Sequence, residues 1–222
     1  SYQNSMSKLR IGFIGSGRMA HVHAEQLCHE SDVQIVAAAD HGSGRANDFH
    51  TRWNTTAFSD YRKMLDEVVM DAVYICTPTT THCEIGLACV ERDLHLLIEK
   101  PLDLDLKQAH KLVEESERRK LITCTCFQWR YSPGYLRACE MVGDEAVALI
   151  NLRWYWTRPP LRWMWDREQA GGQIVDQNIH LIDGSQGFAG EIERVYAAYN
   201  TRQVNFEPDF VNWDGYALTL HY

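Results

Sequence analysis

Between Leu9 and Ala24 an apolar run, Leu9-Arg10-Ile11-Gly12-Phe13-Ile14, stops at Gly15-Ser16-Gly17-Arg18-Met19-Ala20. Beyond it Met19, Ala20, Val22, Leu27 and Cys28 recur at roughly helical spacing. This reads as a strand, a tight glycine turn and a helix, in the G-x-G-x-x-G/A form of a dinucleotide site. Gly15 lets the chain turn sharply, Gly17 lets backbone approach a pyrophosphate, and Ala20 lets the helix lie close on a sheet. Free N–H groups and the positive end of the helix dipole then face the phosphates.

A glycine turn also ends ordinary strands, so the context matters. A second apolar run, Val33 to Ala39, ends in Asp40, where an acidic residue accepts hydrogen bonds from the adenosine ribose of a bound dinucleotide. The bland alternative makes Asp40 a loop or cap residue.

The alternation continues. A helix is expected over 43–53 and a short strand over Thr55-Thr56-Ala57-Phe58. Ser59-Asp60 then caps a helix carrying Tyr61, Met64 and Leu65. Asp71 to Cys76 is a continuous apolar run of the kind parallel strands need when both faces are covered. Thr77-Pro78 breaks it, and Thr81 with Glu84 predicts a capping box opening a helix with Ile85, Ala88 and Cys89 on one face. A strand from Leu94 to Ile98 runs into Glu99-Lys100-Pro101. Asp105 with Gln108 caps the next helix, with a stripe of Leu106, Ala109, Leu112 and Val113, before a last strand from Leu121 to Phe127. Alternating β and α elements with short links make an α/β class, a doubly wound parallel sheet with ligands at the carboxyl ends of its strands. Gly15, Asp40, Thr77, Glu99, Lys100 and Gln128 all fall at those ends.

After residue 127 the rhythm changes. A helix over Ser132 to Val142 precedes β-like stretches at Ala146–Trp156, Ile192–Val204 and Val211–Tyr222, with a helical segment around Val175 to Phe188. That is an α+β pattern with a mainly antiparallel sheet. Its last strand is left without a cover, so a partner is expected on this sheet or the sheet is incomplete. The division expected is 1–127 for the dinucleotide and 128–222 for substrate and self-association.

The length of 222 residues suits one large domain or two modest ones, and 45% hydrophobic content supplies a core. The net charge of −8, with scattered Lys and Arg, argues against a nucleic-acid surface. No apolar stretch reaches the ~20 residues that span a bilayer, and the first residues lack a signal-peptide core. Seven cysteines in strand and helix patterns read as buried free thiols in a reducing, cytoplasmic compartment, and no second pair completes a zinc set around Cys124-x-Cys126. No metal is expected.

Two groups carry chemistry. Lys100 sits on a strand-end loop beside the dinucleotide site, where a desolvated amine can polarise an oxygen or exchange a proton. The alternative is a solvated loop lysine. If 175–186 is one helix, Asp176 and His180 share a face at i,i+4, behind Gly171-Gly172. The histidine can then shuttle a proton, while the aspartate fixes its tautomer or holds a substrate hydroxyl. The alternative is an Asp/His pair on a solvated face.

Together these pieces resemble the Gfo/Idh/MocA oxidoreductase family. The resemblance rests on Gly15-Ser16-Gly17-Arg18-Met19-Ala20 with Asp40, on Thr77-Pro78 with Thr81-His82, and on Glu99-Lys100-Pro101. It continues in Gln128-Trp129-Arg130-Tyr131, in Gly171-Gly172, and in Asp176-x-x-x-His180 followed by Asp183. It implies a Rossmann-type sheet followed by an open antiparallel sheet used for homo-oligomerisation. Arg18, Met19, Thr77, Pro78, His82, Glu99 and Gln128 then join Gly15, Ser16, Gly17, Asp40 and Lys100 around the cofactor. It also implies that Lys100, Asp176 and His180 flank a sugar or polyol carbon facing the nicotinamide. Asn178 stands where a glycine is common, and family members continue well past this chain's last residue.

The expectation is an NAD(P)-dependent oxidoreductase moving hydride to or from a sugar, polyol or related hydroxy compound. Asp40 favours NAD over NADP, while His41 and Arg45 leave NADP open. An NAD-dependent glycoside hydrolase using transient oxidation and a non-catalytic NAD-binding protein are the alternatives. The run Arg153 to Trp165, rich in Trp and Arg, suits a carbohydrate pocket and equally suits core or subunit packing.

Overall fold

The computed structural model describes residues 7–42, 44–155, 158–202 and 207–222. The chain divides into two compact units, Ser1–Cys126 and Phe127–Tyr222.

The first unit alternates strand and helix: β1 Leu9–Ile14, α1 Arg18–Leu27, β2 Val33–Ala39, α2 Arg45–Trp53, β3 Thr56–Phe58, α3 Tyr61–Glu67, β4 Ala72–Ile75, α4 His82–Val90, β5 His95–Ile98, α5 Leu106–Arg118 and β6 Thr123–Thr125. The strands form one parallel sheet in the order β3-β2-β1-β4-β5-β6. The chain reverses direction across the sheet between β1 and β4, the position where doubly wound folds open a crevice. Both faces are covered, which explains the continuous apolar runs. Ile11, Phe13 and Ala38 pack with Ala20, Ala24 and Phe49 on one side, while Ile14, Ala37, Ala39, Val73 and Ile75 join Met64, Ile85 and Leu112 on the other.

The register levels one edge. Ile14 pairs with both Ala39 and Ile75, Ile75 with Ile98, and Ile98 with Thr125. The residues that follow these strands, Gly15, Asp40, Cys76, Glu99 and Cys126, therefore emerge side by side.

Several local expectations hold. The Asp60 carboxylate accepts from the Arg62 amide at 2.9 Å and that of Asp105 from the Lys107 amide at 2.9 Å, each capping its helix. Others do not. The Thr81 hydroxyl lies 2.8 Å from both Thr77 Oγ1 and the Pro78 carbonyl, so it caps no helix. Glu84, its expected capping-box partner, is drawn off by the Arg62 guanidinium at 2.6 Å. On α5 only part of the stripe is inside: Leu112 is buried and Ala109 packs against the core, but Leu106 and Val113 are exposed.

The second unit begins with a 3-10 turn, Gln128–Tyr131, and α6 Pro133–Val142, capped by Ser132 Oγ accepting from the Tyr135 amide. A second 3-10 turn, Arg162–Trp165, leads into α7 Arg167–Ala170, α8 Gln173–Asp176 and α9 Ile179–Ala189. Strands β7 Arg194–Asn200 and β8 Gly215–His221 form an antiparallel pair. The strand expected over Ala146–Trp156 is absent among the described residues 146–155, most of which face solvent and pair with no other strand. A β pattern without a neighbour cannot close its hydrogen bonds. Trp156 and Val204, the ends of two expected strands, lie outside the described residues, as does residue 43 at the start of the helix expected over 43–53.

The cysteines divide by position. Cys83, Cys89 and Cys126 are buried thiols, Cys76, Cys124 and Cys139 are half-buried, and Cys28, expected inside, is exposed. It is the residue that ends α1, at the C-cap. No helix among the described residues is long and apolar enough to cross a membrane.

Candidate active site

At the levelled edge of the first unit the glycine turn is forced by its surroundings. Gly15 has φ 84°, and a Cβ there would meet the Cys76 carbonyl oxygen at 2.5 Å. Only glycine combines that backbone with that approach. Beside it, a Cβ at Gly17 would meet nothing within 4 Å, so the space above the turn is open. Gly17 is also the N-cap of α1, with no side chain filling the cap. Ser16 Oγ is buried with no hydrogen-bond partner among the described residues. Open space, uncapped helix amides and a spare hydroxyl together form a cradle that fits a pyrophosphate. Arg18 is exposed and Met19 half-buried on the first turn of the helix.

Asp40 stands at the end of β2 with its side chain only 7% exposed. Its Oδ2 accepts from the Ser16 amide at 3.0 Å, and the Arg45 guanidinium lies 3.4 Å from its Oδ1.

Lys100 follows β5 and is half-buried. Its neighbours are fixed from two sides. The Lys100 amide donates to Glu99 Oε2 at 3.3 Å, and His23 on α1 holds Glu99 Oε1 at 2.7 Å. Next in the chain, Pro101 is buried and joined to Lys100 by a cis peptide.

His82, placed with the cofactor residues by resemblance, has a different position. Its ring is 1% exposed, with Nδ1 2.8 Å from the Pro101 carbonyl and Nε2 2.8 Å from the Thr77 carbonyl. It ties the end of β4 to the lysine turn instead of offering a free nitrogen to a ligand. Thr77 is half-buried and Pro78 exposed on the same loop. Burial and the Glu99 charge push the Cys126 thiol up to about 12, so it stays protonated beside Glu99 unless a metal ion displaces its proton.

The second unit carries the Asp/His group. The expected single helix is two: α8 ends at Asp176, and the Asn178 amide reaches back to the Gln173 carbonyl at 2.9 Å before α9 restarts. The bend follows Gly171 and Gly172, whose φ values are 73° and 80°. A Cβ at Gly172 would meet the Tyr216 hydroxyl at 2.8 Å, so this turn too requires glycine. Asp176 is 3% and His180 6% exposed, which overturns the reading of a pair on a solvated face. Trp129 stacks on the His180 ring at 5.3 Å between centroids and 15° between planes, and Phe127 meets it edge-on at 6.3 Å. Gln128, between these two aromatics, is exposed.

Sequence reasoning missed what holds this group. Arg130 donates to Asp183 Oδ2 at 2.8 Å and to the Asp183 carbonyl at 2.9 Å, fastening the Gln128–Tyr131 turn to α9. Tyr135 adds a bond to the Gly184 carbonyl at 2.9 Å. Trp129, Arg130 and Asp183 were visible as motif residues, but their contacts span some fifty positions of sequence. In the Trp/Arg run, Trp165 is packed inside while Arg153 and Tyr155 are exposed. Trp165 is buried, donates to the Pro159 carbonyl at 2.8 Å, and carries the Arg158 and Arg162 guanidinium groups over its ring. Those arginines pair with Glu207 and Asp209. Trp156 and Thr157 lie outside the described residues.

The family model described as "Oxidoreductase family, NAD-binding Rossmann fold" matches residues 9–127, and the "GFO/IDH/MocA C-terminal domain" model matches residues 122–222. Among curated proteins, the chain is 29% identical over 195 residues to a myo-inositol 2-dehydrogenase of Thermotoga maritima, covering 85% of this chain and 58% of that protein. It is 30% identical to an inositol 2-dehydrogenase of Rubrobacter xylanophilus (85% and 55% covered) and 27% identical to a D-glucoside 3-dehydrogenase of Escherichia coli (83% and 55%). The chain thus spans little more than half the length of the relatives it matches. In fold it is similar to the WlbA dehydrogenase of Bordetella pertussis, solved with NADH and UDP-GlcNAcA, at a TM-score of 0.87 and 21% identity, covering 98% of this chain and 66% of that one.

Proposed function

This chain belongs to the GFO/IDH/MocA oxidoreductase family, and from that membership we propose that it is an NAD-dependent dehydrogenase acting on a C–OH group of a sugar or polyol. One observation carries the reading. An open glycine turn, a nearly buried aspartate and a half-buried lysine emerge together at the carboxyl edge of a single parallel sheet.

The first unit is the coenzyme half. The Gly15–Gly17 turn and the first amides of α1 hold the pyrophosphate, Asp40 takes the adenosine ribose, and Arg18, Met19, Thr77 and Glu99 line the site. When bound, the nicotinamide accepts or returns the hydride. Lys100 polarises the substrate oxygen and shares its proton, His180 is the principal proton acceptor during oxidation, and Asp176 orients substrate and base. The second unit is the substrate half, in which Trp129 limits the tilt of the His180 ring. The inositol and glucoside dehydrogenases among its relatives support a sugar or polyol substrate.

NAD is the preferred coenzyme because the Asp40 carboxylate repels a 2′-phosphate, while Arg45 beside it leaves some use of NADP. We assign the protein to a reducing, cytoplasmic compartment on its seven thiols. Self-association through the β7–β8 ribbon is supported by Val195, Tyr196 and Tyr199, all more than half exposed. The decisive experiment is calorimetric titration with NAD and NADP, followed by an absorbance scan for reduced nicotinamide over a panel of sugars and polyols. Absence of binding by either coenzyme overturns the proposal.

A further inference from the structure

Three parallel strands, β4, β5 and β6, end side by side, and the fold crowds metal-ligating side chains around that edge. His23 comes from α1, Glu99 follows β5 and Cys126 follows β6. His23 Nε2 lies 2.7 Å from Glu99 Oε1 and 3.9 Å from Cys126 Sγ, and the three donor atoms all fall within 4.8 Å of one another. Glu99 and Cys126 are 7% and 8% exposed, so water competes little for these atoms. The Tyr74 ring meets His23 edge-on at 5.5 Å and limits how it turns.

We propose that His23 Nε2, the Glu99 carboxylate and Cys126 Sγ form a site for a divalent cation of the zinc class. One nitrogen, one carboxylate oxygen and one sulfur are the donors that borderline-soft Zn²⁺ accepts, whereas Mg²⁺ and Ca²⁺ select oxygen alone. Bonds of about 2.0–2.3 Å in a tetrahedron set donors roughly 3.3–3.7 Å apart, so side-chain shifts of about 1 Å close the set. Three protein ligands leave the fourth position to water, the pattern of an open zinc site. Occupation draws on Glu99, whose other oxygen receives the Lys100 amide. On the function proposed above, it therefore makes the enzyme reversibly sensitive to zinc; the binding itself does not depend on that reading.

Cobalt is the spectroscopic probe. The chelator-washed chain is titrated with Co²⁺, followed by a thiolate-to-cobalt charge-transfer band and the visible bands of a tetrahedral ion, and then back-titrated with Zn²⁺. The expected result is one equivalent of cobalt with a thiolate band that zinc abolishes. Cys126→Ser should remove the band, and His23→Gln should weaken affinity by about 100-fold or more. A second, exposed trio, Glu25, Cys28 and His29, supplies the control. A band kept in Cys28→Ser and lost in Cys126→Ser supports the buried site, and the reverse overturns it. No thiolate band in the parent chain also overturns it. Circular dichroism checks folding of each variant, and if Cys126→Ser fails to fold, His23→Gln together with Cys28→Ser decides. Because the spectrum is read without turnover, a failed search for substrate leaves the result standing.

Discussion

The carboxylate of Asp40 accepts a hydrogen bond from the backbone amide of Ser16 at 3.0 Å, joining the end of β2 to the glycine turn after β1. The residue proposed to read the coenzyme ribose therefore also sets the loop that holds the phosphates. Asp40→Ala should lose on both counts. We expect NAD affinity to fall about 10-fold, or about 1.4 kcal/mol, with a smaller loss for NADP because the charge opposing its 2′-phosphate is gone. Calorimetry with both coenzymes measures this, and an unchanged NAD:NADP ratio refutes the role given to Asp40.

Lys100 is the residue on which the chemical proposal stands. Lys100→Ala should lower kcat by about 10²–10⁴-fold, the range for loss of a positioned acid–base group, with NAD binding little changed. Parallel measurement of turnover and coenzyme Kd separates the two effects. Full activity in the variant removes Lys100 from the mechanism.

Most of the first unit could be read from the chain because its signals are local. Apolar runs covered on both faces mark β1, β2 and β4, and Asp60 and Asp105 each cap the helix that follows them. What escaped depends on contacts far apart in sequence. Thr81 satisfies the pattern of a capping box, but its hydroxyl prefers Thr77 and Pro78, and Glu84 finds Arg62 on another helix. The break between Asp176 and His180 turns on one amide, Asn178, reaching the Gln173 carbonyl, which periodicity cannot reveal. His23 and Cys126 stand 103 residues apart, and only the parallel register brings them together. The strand pattern over 146–155 has the right residue types but no partner among the described strands.

The stacking of Trp129 on His180 makes a graded prediction. His180→Asn should cut kcat by about 10²–10⁴-fold as a lost proton acceptor. Trp129→Leu keeps the imidazole but removes the flat support on which it rests, so kcat should fall by a smaller factor, with NAD affinity unchanged. Steady-state kinetics of the two variants with the substrate found by the panel provide the comparison. A Trp129→Leu enzyme as impaired as His180→Asn means that the indole itself meets the substrate.

His82 holds two backbone carbonyls from inside the protein, those of Thr77 and Pro101. Removing the ring takes its N–H from one of these carbonyls in a site that water scarcely reaches. His82→Ala should cost about 2–5 kcal/mol, from an unsatisfied buried carbonyl and the cavity left behind. It should also lower kcat, because the strut that fixes the lysine turn is gone. Chemical denaturation measures the first effect. Stability within about 0.5 kcal/mol of the parent, the range of ordinary surface substitutions, contradicts the strut role.

Acid should weaken the first unit through one ion pair. The Arg10 guanidinium contacts Asp71 at 2.8 and 3.0 Å and the Arg10 amide adds a bond at 2.8 Å, tying the start of β1 to the residue before β4. Hydrogen bonds from the Arg10 side chain and backbone lower the Asp71 carboxyl to about 2, against about 3.9 in an unfolded chain. A carboxylate depressed in the folded state contributes stability that is fully present above its unfolded value and lost as pH falls through the folded one. The contribution should hold from neutrality to about pH 5 and fade between about pH 5 and 2. Both side chains are a third or more exposed, 40% for Arg10 and 33% for Asp71, so solvent screens the pair and its contribution is modest. Asp71→Asn should therefore melt below the parent at pH 7, with the gap closing as pH falls toward 2 and shrinking in high salt. Thermal melts of both proteins at pH 7, 5, 4 and 3 test this. A gap of constant size down to pH 3 shows that the Asp71 charge plays no part.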